Sequence, residues 1–348
     1  MTKKQKKSLF VLLGILVLLA AALLAVRAHS VAAEKKAAAS SSSSTESRIT
    51  ASGLKFSSIS YTNSTATLSF ALDKDGKWYW KGDQDFPLNT DYVEKIAGTI
   101  SDLTPQQTIT QGDTLDAYGL TAPAVTLTAA ETDGASLKLA LGKATTDGKS
   151  YYLLKNDDKT KVYVVDGTLY TELTRGIYDM IQLPALPTLQ ESSLTSVAIS
   201  GAAQTALKAT VTKQSGSASA SSGADSSAES GSDVSVTWHD GTGADVTGNP
   251  DMTDLVSEIC GLAVDHCEDY KPSAKAVTIC GFDKPRCTLS VNYTDENGEA
   301  GSFTLTVGNQ TADGGSYYVR LGTDTTIYAV KADGLSKILS VAASGLAK

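Results

Sequence analysis

The chain has 348 residues, of which 41% are hydrophobic and 20% are charged, and its formal net charge is −8. This length can hold two ordinary domains, and the composition is typical of globular proteins. The acidic balance argues against nucleic acid as a partner, because no basic patch follows the N-terminus. Only three histidines are present, which leaves few groups for acid–base chemistry near neutral pH.

A basic and then apolar segment opens the chain. Four lysines within residues 3–7 precede an unbroken apolar run of eighteen residues from Leu9 to Val26. As a helix this run would cover roughly 27 Å, close to the ~30 Å hydrocarbon core of a bilayer. We therefore predict a cytoplasmic tail at 1–8 and a single transmembrane helix at 9–26, with the bulk of the chain extracytoplasmic at the cell membrane. Cleavage stays open as an alternative, because small-residue sites such as Ser30-Val31-Ala32 follow the run.

The segment at 27–50 consists mainly of Ala, Ser and Lys, with an unbroken serine run at 40–44. Such a composition buries too little apolar surface to offset the entropy of ordering the chain. We predict a disordered stalk that separates the folded part from the membrane.

A motif that occurs twice organises the rest of the sequence. The sequence YGLTAP at 118–123 is matched by CGFDKP at 280–285. Each copy is followed, in the same order, by an alternating strand, a turn, a strand that ends in Leu-Gly or Val-Gly, and a Tyr-Tyr pair. This order predicts two tandem repeats, at 51–188 and 189–343.

The repeated motif has the residue types of a structural turn. Gly119 and Gly281 fit a position that requires a positive φ or a close backbone approach. Pro123 and Pro285 fix φ and remove an N–H donor just before a strand, where the loss is tolerated. Recurrence within one chain indicates that the fold needs this geometry twice.

The pattern within each repeat predicts the fold class. Segments such as 56–61 and 66–72 alternate with period two, as half-buried strands do. Asn89-Thr90-Asp91 has the composition of a helix start, and single helices separate groups of strands. We predict an α+β fold: two tandem, mainly antiparallel β-sheet units, each covered by single helices. When Trp80 is aligned with Trp238, the second repeat carries a Ser/Ala/Gly tract at 214–233 in place of a hairpin turn, which predicts a disordered loop.

Several motifs together resemble a known family. Tyr-Gly-Leu-x-x-Pro, Leu-Gly-Lys at 141–143, Gly-x-x-Tyr-Tyr at 148–152 and Val-Tyr-x-Val at 162–165 are similar to the family called domain of unknown function 4340. Both repeats resemble it, over roughly 54–183 and 194–341, with Cys280 and Phe282 as departures in the second. The resemblance implies a bacterial, membrane-anchored protein found beside transporters similar to the ABC-type gliding-motility system. It supplies no catalytic residues.

Four cysteines, Cys260, Cys267, Cys280 and Cys287, fall within one 28-residue span of the second repeat. An even number outside the cytoplasm favours disulfides. Cys280 with Cys287 would clip the repeated turn, and Cys267 with Cys280 would join a helix end to a strand. A Cys260–Cys267 pair is strained, because seven helical residues span roughly 10 Å and a bridge needs less than ~7 Å. We predict at least one disulfide, with its connectivity open and buried free thiols as the alternative.

The paired tyrosines at 151–152 and 317–318 offer a candidate ligand platform. Adjacent strand residues point to opposite faces, so one tyrosine of each pair is expected to be buried and the other exposed. We choose Tyr152 and Tyr318 as the candidate exposed pair for a glycan or a peptide. Core packing is the simpler interpretation of both, because aromatic residues favour strands.

Motifs for catalysis or metal binding are weak. His266 beside Cys267 could indicate zinc, but the spacing matches no compact C-x2-C pattern. The sequence contains no G-x-S-x-G, no H-E-x-x-H and no glycine-rich phosphate loop. We predict no catalytic residue, no cofactor and no metal, and we do not expect an enzyme.

Two functions remain in view. The first is a membrane-anchored extracytoplasmic module without catalytic activity, which assembles with a membrane complex such as an ABC-type transporter. The second is a module that binds an envelope glycan or peptide through exposed strand aromatics. A hydrolase would need an acid pair or a nucleophile–base pair that the sequence does not contain.

Overall fold

The computed structural model describes residues 48–213 and 234–348. The chain divides into two compact units between Ile181 and Gln182, seven residues before the boundary expected at 188; we call the described residues up to 181 unit 1 and those from 182 onward unit 2. The predicted tail, the transmembrane helix at 9–26, nearly all of the stalk and the loop at 214–233 lie outside the described residues. Within the described ranges, no helix has the length and apolar character that crossing a bilayer requires.

Unit 1 contains eight strands and two α-helices. The strands are β1 Phe56–Thr62, β2 Thr67–Leu72, β3 Trp78–Trp80, β4 Gln107–Ile109, β5 Val125–Glu131, β6 Ser136–Ala144, β7 Ser150–Lys155 and β8 Val162–Asp166. The helices are α1 Thr90–Ser101 and α2 Thr168–Leu173. The strands form one antiparallel sheet in the order β3-β2-β1-β5-β6-β7-β8-β4.

Unit 2 repeats this plan and adds one short helix. Its strands are β9 Leu194–Ser200, β10 Gln204–Lys213, β11 Val234–Asp240, β12 His266–Asp269, β13 Cys287–Thr294, β14 Ala300–Gln310, β15 Ser316–Leu321 and β16 Ile327–Lys331. Its helices are α3 Met252–Cys260, α4 Ala274–Ile279 and α5 Ser336–Ser344. The antiparallel sheet has the order β11-β10-β9-β13-β14-β15-β16-β12.

The two sheet orders are the same once each strand number of unit 1 is raised by eight, so both repeats have one topology. The prediction of mainly antiparallel β units is confirmed, and the described residues contain five α-helices. The sequence does not predict the edge strands β4 and β12. They have three and four residues, too few for an alternating pattern to be recognised.

Helices cover one face of each sheet, which we call the inner face. In unit 1, α1 begins after Asn89, whose side chain accepts from the amide of Asp91 at 3.1 Å. Helix α1 contacts α2, β1 and β3, and the hydroxyl of Tyr61 donates to the carbonyl of Arg175 at 3.1 Å. In unit 2, α5 contacts α3, β9, β10 and β13. The carboxylate of Glu258 on α3 accepts from the first amides of α5, including that of Ile338 at 3.0 Å.

The repeated turn crosses the opposite, outer face of each sheet. In unit 1 the amide of Lys143 donates to the carbonyl of Tyr118 at 3.0 Å, and in unit 2 the amide of Asn309 donates to that of Cys280 at 2.7 Å. The turn glycines 119 and 281 have φ values of 70° and 84°, as the motif predicts. Each crossing lies at an irregularity in β6 or β14, after Leu141 or Val307.

A glycine in the strand below makes each crossing possible. A Cβ on Gly142 would overlap the carbonyl oxygen of Tyr118, and a Cβ on Gly308 would overlap that of Cys280. The Leu-Gly and Val-Gly pairs of the sequence therefore belong to the same feature as the turn. Both prolines precede the strand that follows the crossing, Pro123 before β5 and Pro285 before β13.

We expect Gly142→Ala to destabilise unit 1 by roughly 1–3 kcal/mol, because the new methyl group displaces a backbone carbonyl that has no room to move. Chemical denaturation followed by tryptophan fluorescence measures this loss, since Trp78 and Trp80 lie in unit 1. Gly98→Ala is the matched control: a Cβ there meets nothing within 4 Å, and alanine in a helix should stabilise by up to about 1 kcal/mol. Equal midpoints for the two variants would contradict the crossing as a constraint.

Candidate functional site

The outer face of unit 1 is closed by apolar packing next to the crossing. The Tyr118 ring from the turn lies 4.6 Å from the Tyr152 ring on β7. Tyr152 pairs across the sheet with Val164, which in turn pairs with Gln107 at the sheet edge. Around this row lies a buried cluster of apolar and aromatic residues: Ile109, Tyr118, Leu120, Tyr152, Leu154, Val162 and Val164.

The same position in unit 2 has smaller and more polar residues. Tyr318 pairs with Ala329, and Ala329 pairs with His266 on β12, so these three take the places of Tyr152, Val164 and Gln107. Cys280 stands where unit 1 has Tyr118. Replacing a tyrosine by a cysteine and a valine by an alanine removes the bulk that closes the outer face.

Beside Tyr318 and His266 on this face lies a pocket of about 280 Å³, which we call the outer-face pocket. Its lining combines one aromatic ring with carboxylates, hydroxyls and an imidazole: His266, Glu268, Thr311, Ala312, Asp313, Ser316 and Tyr318. The volume is close to the lower end of the range for small-molecule sites.

A cation also lies on this face of the sheet, two residues after Tyr318 on β15, where unit 1 has an aliphatic side chain. Arg320 takes the place of Leu154, and its guanidinium carbon lies 4.6 Å from the ring of Phe282. Phe282 in turn takes the place of Leu120. The Nε of Arg320 is buried and has no hydrogen-bond partner among the residues that the structure describes.

The structure corrects half of the predicted aromatic platform. Tyr152 is only 5% exposed and belongs to the apolar cluster, because the turn that carries Tyr118 covers its face of the sheet. The half-exposed residue of that pair is Tyr151, which stacks on Tyr170 with ring centroids 3.9 Å apart. Tyr318, by contrast, is half-buried and lines the outer-face pocket.

The predicted disulfide is wrong, because all four cysteines are free in the structure. Cys267 and Cys287 both face inward, but three strands separate β12 from β13, a distance of roughly 19 Å at ~4.8 Å per strand. Cys280 ends α4 on the outer face. Cys260 ends α3 and lines a different cavity of about 480 Å³, whose floor includes Trp238.

Burial also makes these thiols unreactive. It raises the pKa of Cys287 to about 11. Burial together with the negative charges of Asp269 and Glu268 raises the pKa of Cys267 to about 12. The thiolate is the reactive form, so both groups are almost entirely inert near neutral pH. Zinc binding by His266 and Cys267 gains no support, since no group of three or more His, Cys, Asp or Glu side chains among the described residues could hold a metal ion.

We expect four alkylations per chain when the purified protein is unfolded without reductant, counted by intact mass spectrometry. In the folded protein, Cys260 should be alkylated first at pH 8, because it is half-buried while the other three are buried. Two additions instead of four in the unfolded sample would mean that a disulfide had formed. The same sample unfolded with reductant is the control for complete labelling.

The sequence does not predict the group of His266, Glu268 and Asp313 that lines the outer-face pocket. His266 is weighed only as a zinc ligand, and Glu268 and Asp313 carry no pattern that marks them. A comparison of the two repeats would have marked two of them: His266 stands where unit 1 has Gln107, and Glu268 is an inserted residue. Asp313 has a counterpart in unit 1, because Asp147 accepts from Thr145 as Asp313 accepts from Thr311.

Comparison with known proteins agrees with this architecture. No curated protein and no solved structure matches the chain. A family match covers two segments, 78–237 and 243–340, and is consistent with two tandem copies. The first segment begins in β3 and ends in β11, the corresponding edge strand of unit 2. The chain therefore belongs to the family described as Domain of unknown function (DUF4340).

Proposed function

We propose that the protein is a membrane-anchored, extracytoplasmic interaction module without catalytic activity, accessory to a membrane complex of the ABC-transporter type. The apolar run at 9–26 after four lysines supports the anchor, with the N-terminus in the cytoplasm. The resemblance to the family supports the neighbourhood of a transporter. In this proposal unit 1 serves as a scaffold, and unit 2 carries the recognition surface.

The observation that carries this proposal is the difference between two copies of one fold. Both units keep the crossing and the sheet order, so the fold itself does not require different residues on the outer face of unit 2. Unit 1 fills that face with an apolar cluster. Unit 2 leaves a polar pocket there, at a cost in buried apolar surface that a purely structural copy has no reason to bear.

Site-specific photo-crosslinking in native membranes tests this division of roles. A photoreactive residue at Ala312, on the rim of the outer-face pocket, should crosslink to a permease or ATPase-associated subunit identified by mass spectrometry. The matched control is the same residue at Thr146, which occupies the equivalent turn of unit 1 and is likewise exposed. Equal crosslinking from both positions would contradict recognition by unit 2, and recovery of the protein alone would contradict the assembly.

A second candidate function is the binding of an envelope glycan or peptide in the outer-face pocket. Tyr318 supports it, because a half-exposed ring beside the carboxylates of Glu268 and Asp313 matches the need of a sugar for a stacking face and hydroxyl acceptors. The predicted partner residue Tyr152 plays no part, since it is buried in unit 1.

For this second function we expect binding on a glycan array to be lost in Tyr318→Ala and largely kept in Tyr318→Phe, because stacking needs the ring and not the hydroxyl. Circular dichroism of both variants controls for folding. Retained binding by a folded Tyr318→Ala protein would remove the pocket from consideration as the ligand site.

A further inference from the structure

The imidazole of His266 lies between two carboxylates at the rim of the outer-face pocket. Its Nδ1 is 2.8 Å from Oδ2 of Asp265, and its Nε2 is 3.0 Å from Oε1 of Glu268. Both distances are within the range of charge-assisted hydrogen bonds. The three side chains form a bridge that is only partly shielded from solvent, with 32–46% of each side chain exposed.

This bridge requires a protonated ring. A neutral imidazole carries one N–H, so it can donate to one carboxylate and must turn a lone pair toward the other. Only the imidazolium donates from both nitrogens at once. The geometry therefore describes a positively charged His266 that holds two negative groups together.

The other charged groups facing His266 come from neighbouring elements. Lys331, at the end of β16, lies 3.5 Å from the second oxygen of Asp265. Asp313 lies in the turn between β14 and β15, and its pKa is lowered mainly by the hydrogen bond from Thr311 and to a smaller extent by the nearby charge of His266. Asp313 is already held by the hydroxyl of Thr311 at 2.6 Å and the amide of Gly315 at 3.0 Å, so it does not compete for the ring.

The electrostatic balance favours the charged form of the ring. Partial burial lowers the pKa of His266, but the hydrogen bonds and charges of Asp265 and Glu268 outweigh burial and raise it overall. The hydrogen bond from His266 is also the main cause that lowers the pKa of Asp265. The pKa of His266 is thus raised and the pKa of Asp265 lowered, as expected for an acid and a base that share one hydrogen bond.

The bridge is specific to the second copy. In unit 1 the strand β4 pairs regularly with β8, and Gln107 stands at the position of His266. In unit 2 the pairing of β12 with β16 is interrupted between Cys267 and Asp269, so Glu268 is an inserted bulge residue. Glu268, which interrupts the strand pairing, is therefore also the residue that completes the bridge with His266.

We propose that protonation of His266 acts as a clamp on the outer-face pocket of unit 2: the imidazolium holds Glu268 and β12 in place, and loss of its proton releases them. The clamp acts on the pocket that the proposed function uses for recognition. Only this role in recognition depends on the proposed function; the protonation of His266 does not. Because the pKa in the folded state lies above the ordinary value of about 6.5, the stabilisation is fully present below that pH. It is lost as the pH rises through the folded-state pKa.

The element that responds is the edge strand β12. It pairs with β16 through only three residue pairs, and no other strand of the described sheet flanks it. Short edge strands open at low free-energy cost. Loss of one carboxylate contact leaves two negative groups beside a neutral ring, so the bulge and the pocket rim loosen together.

Hydrogen–deuterium exchange of the full chain in lipid nanodiscs tests the clamp without any partner. After correction for the intrinsic rate, protection of the peptide that covers β12 should fall roughly two- to five-fold between pH 5.5 and 8.5. The peptide that covers β4 is the internal control, because it lacks the bridge. His266→Gln should abolish the pH dependence, and His239→Gln, in the same unit but outside the pocket, should leave it intact.

A histidine titration by NMR supplies the second readout. With ¹³C-labelled histidine, the midpoint of His266 should lie above about 6.5, and Glu268→Gln should lower it by roughly 0.2–0.7 of a pH unit. A midpoint at or below 6.5, or a pH dependence at β12 that survives His266→Gln, would overturn the clamp. Failure of the crosslinking experiment would remove the proposed partner and leave both of these readouts unchanged.

Discussion

The close approach of two backbone segments is the constraint on which both units depend. In each unit the repeated turn lies directly on a strand of the sheet, and a strand amide binds its carbonyl. Any side chain on Gly142 or Gly308 would take the space of that carbonyl. Two short motifs that lie far apart along the sequence therefore recur together, because they form the two halves of one contact.

Between the two units, the outer face of the sheet has diverged more than the inner face, because different elements cover the two faces. On the inner face, Leu153 in unit 1 and Val319 in unit 2 are both fully buried, since helices demand apolar contacts there. On the outer face the cover is the repeated turn, which the short helix α4 precedes in unit 2, and the residue at 118 or 280 lies at its crossing of the sheet. A change there alters the pocket and leaves the helix-covered core intact. The outer face is thus the place where one copy can acquire chemistry that the other lacks.

The sequence predicts the features that depend on residue identity and misses those that depend on packing. The sequence predicts the glycines of the turn and the strand, the duplicated order and the start of α1, because each of these features requires a particular residue type. Alternation predicts that one tyrosine of each pair is buried, which is true of Tyr152 but not of unit 2, where Tyr317 and Tyr318 are both half-buried. Which face the turn covers, and how completely, is a tertiary property. The predicted alignment of Trp80 with Trp238 is wrong for a related reason. Strand pairing makes Trp78 the counterpart of Trp238, and a shift of two residues keeps the same face, so alternation cannot detect it.

The edge position of β12 accounts for the most divergent chemistry of the chain. An inserted residue in a central strand would disturb two ladders of hydrogen bonds and shift the register of both neighbours. At the edge it disturbs only the pairing with β16, and the bulge at Glu268 is tolerated. The insertion brings a carboxylate to 3.0 Å from a histidine that replaces Gln107 of unit 1. The least restrained strand of the second unit is therefore where a titratable group could be added with little loss of fold stability, at the rim of the outer-face pocket.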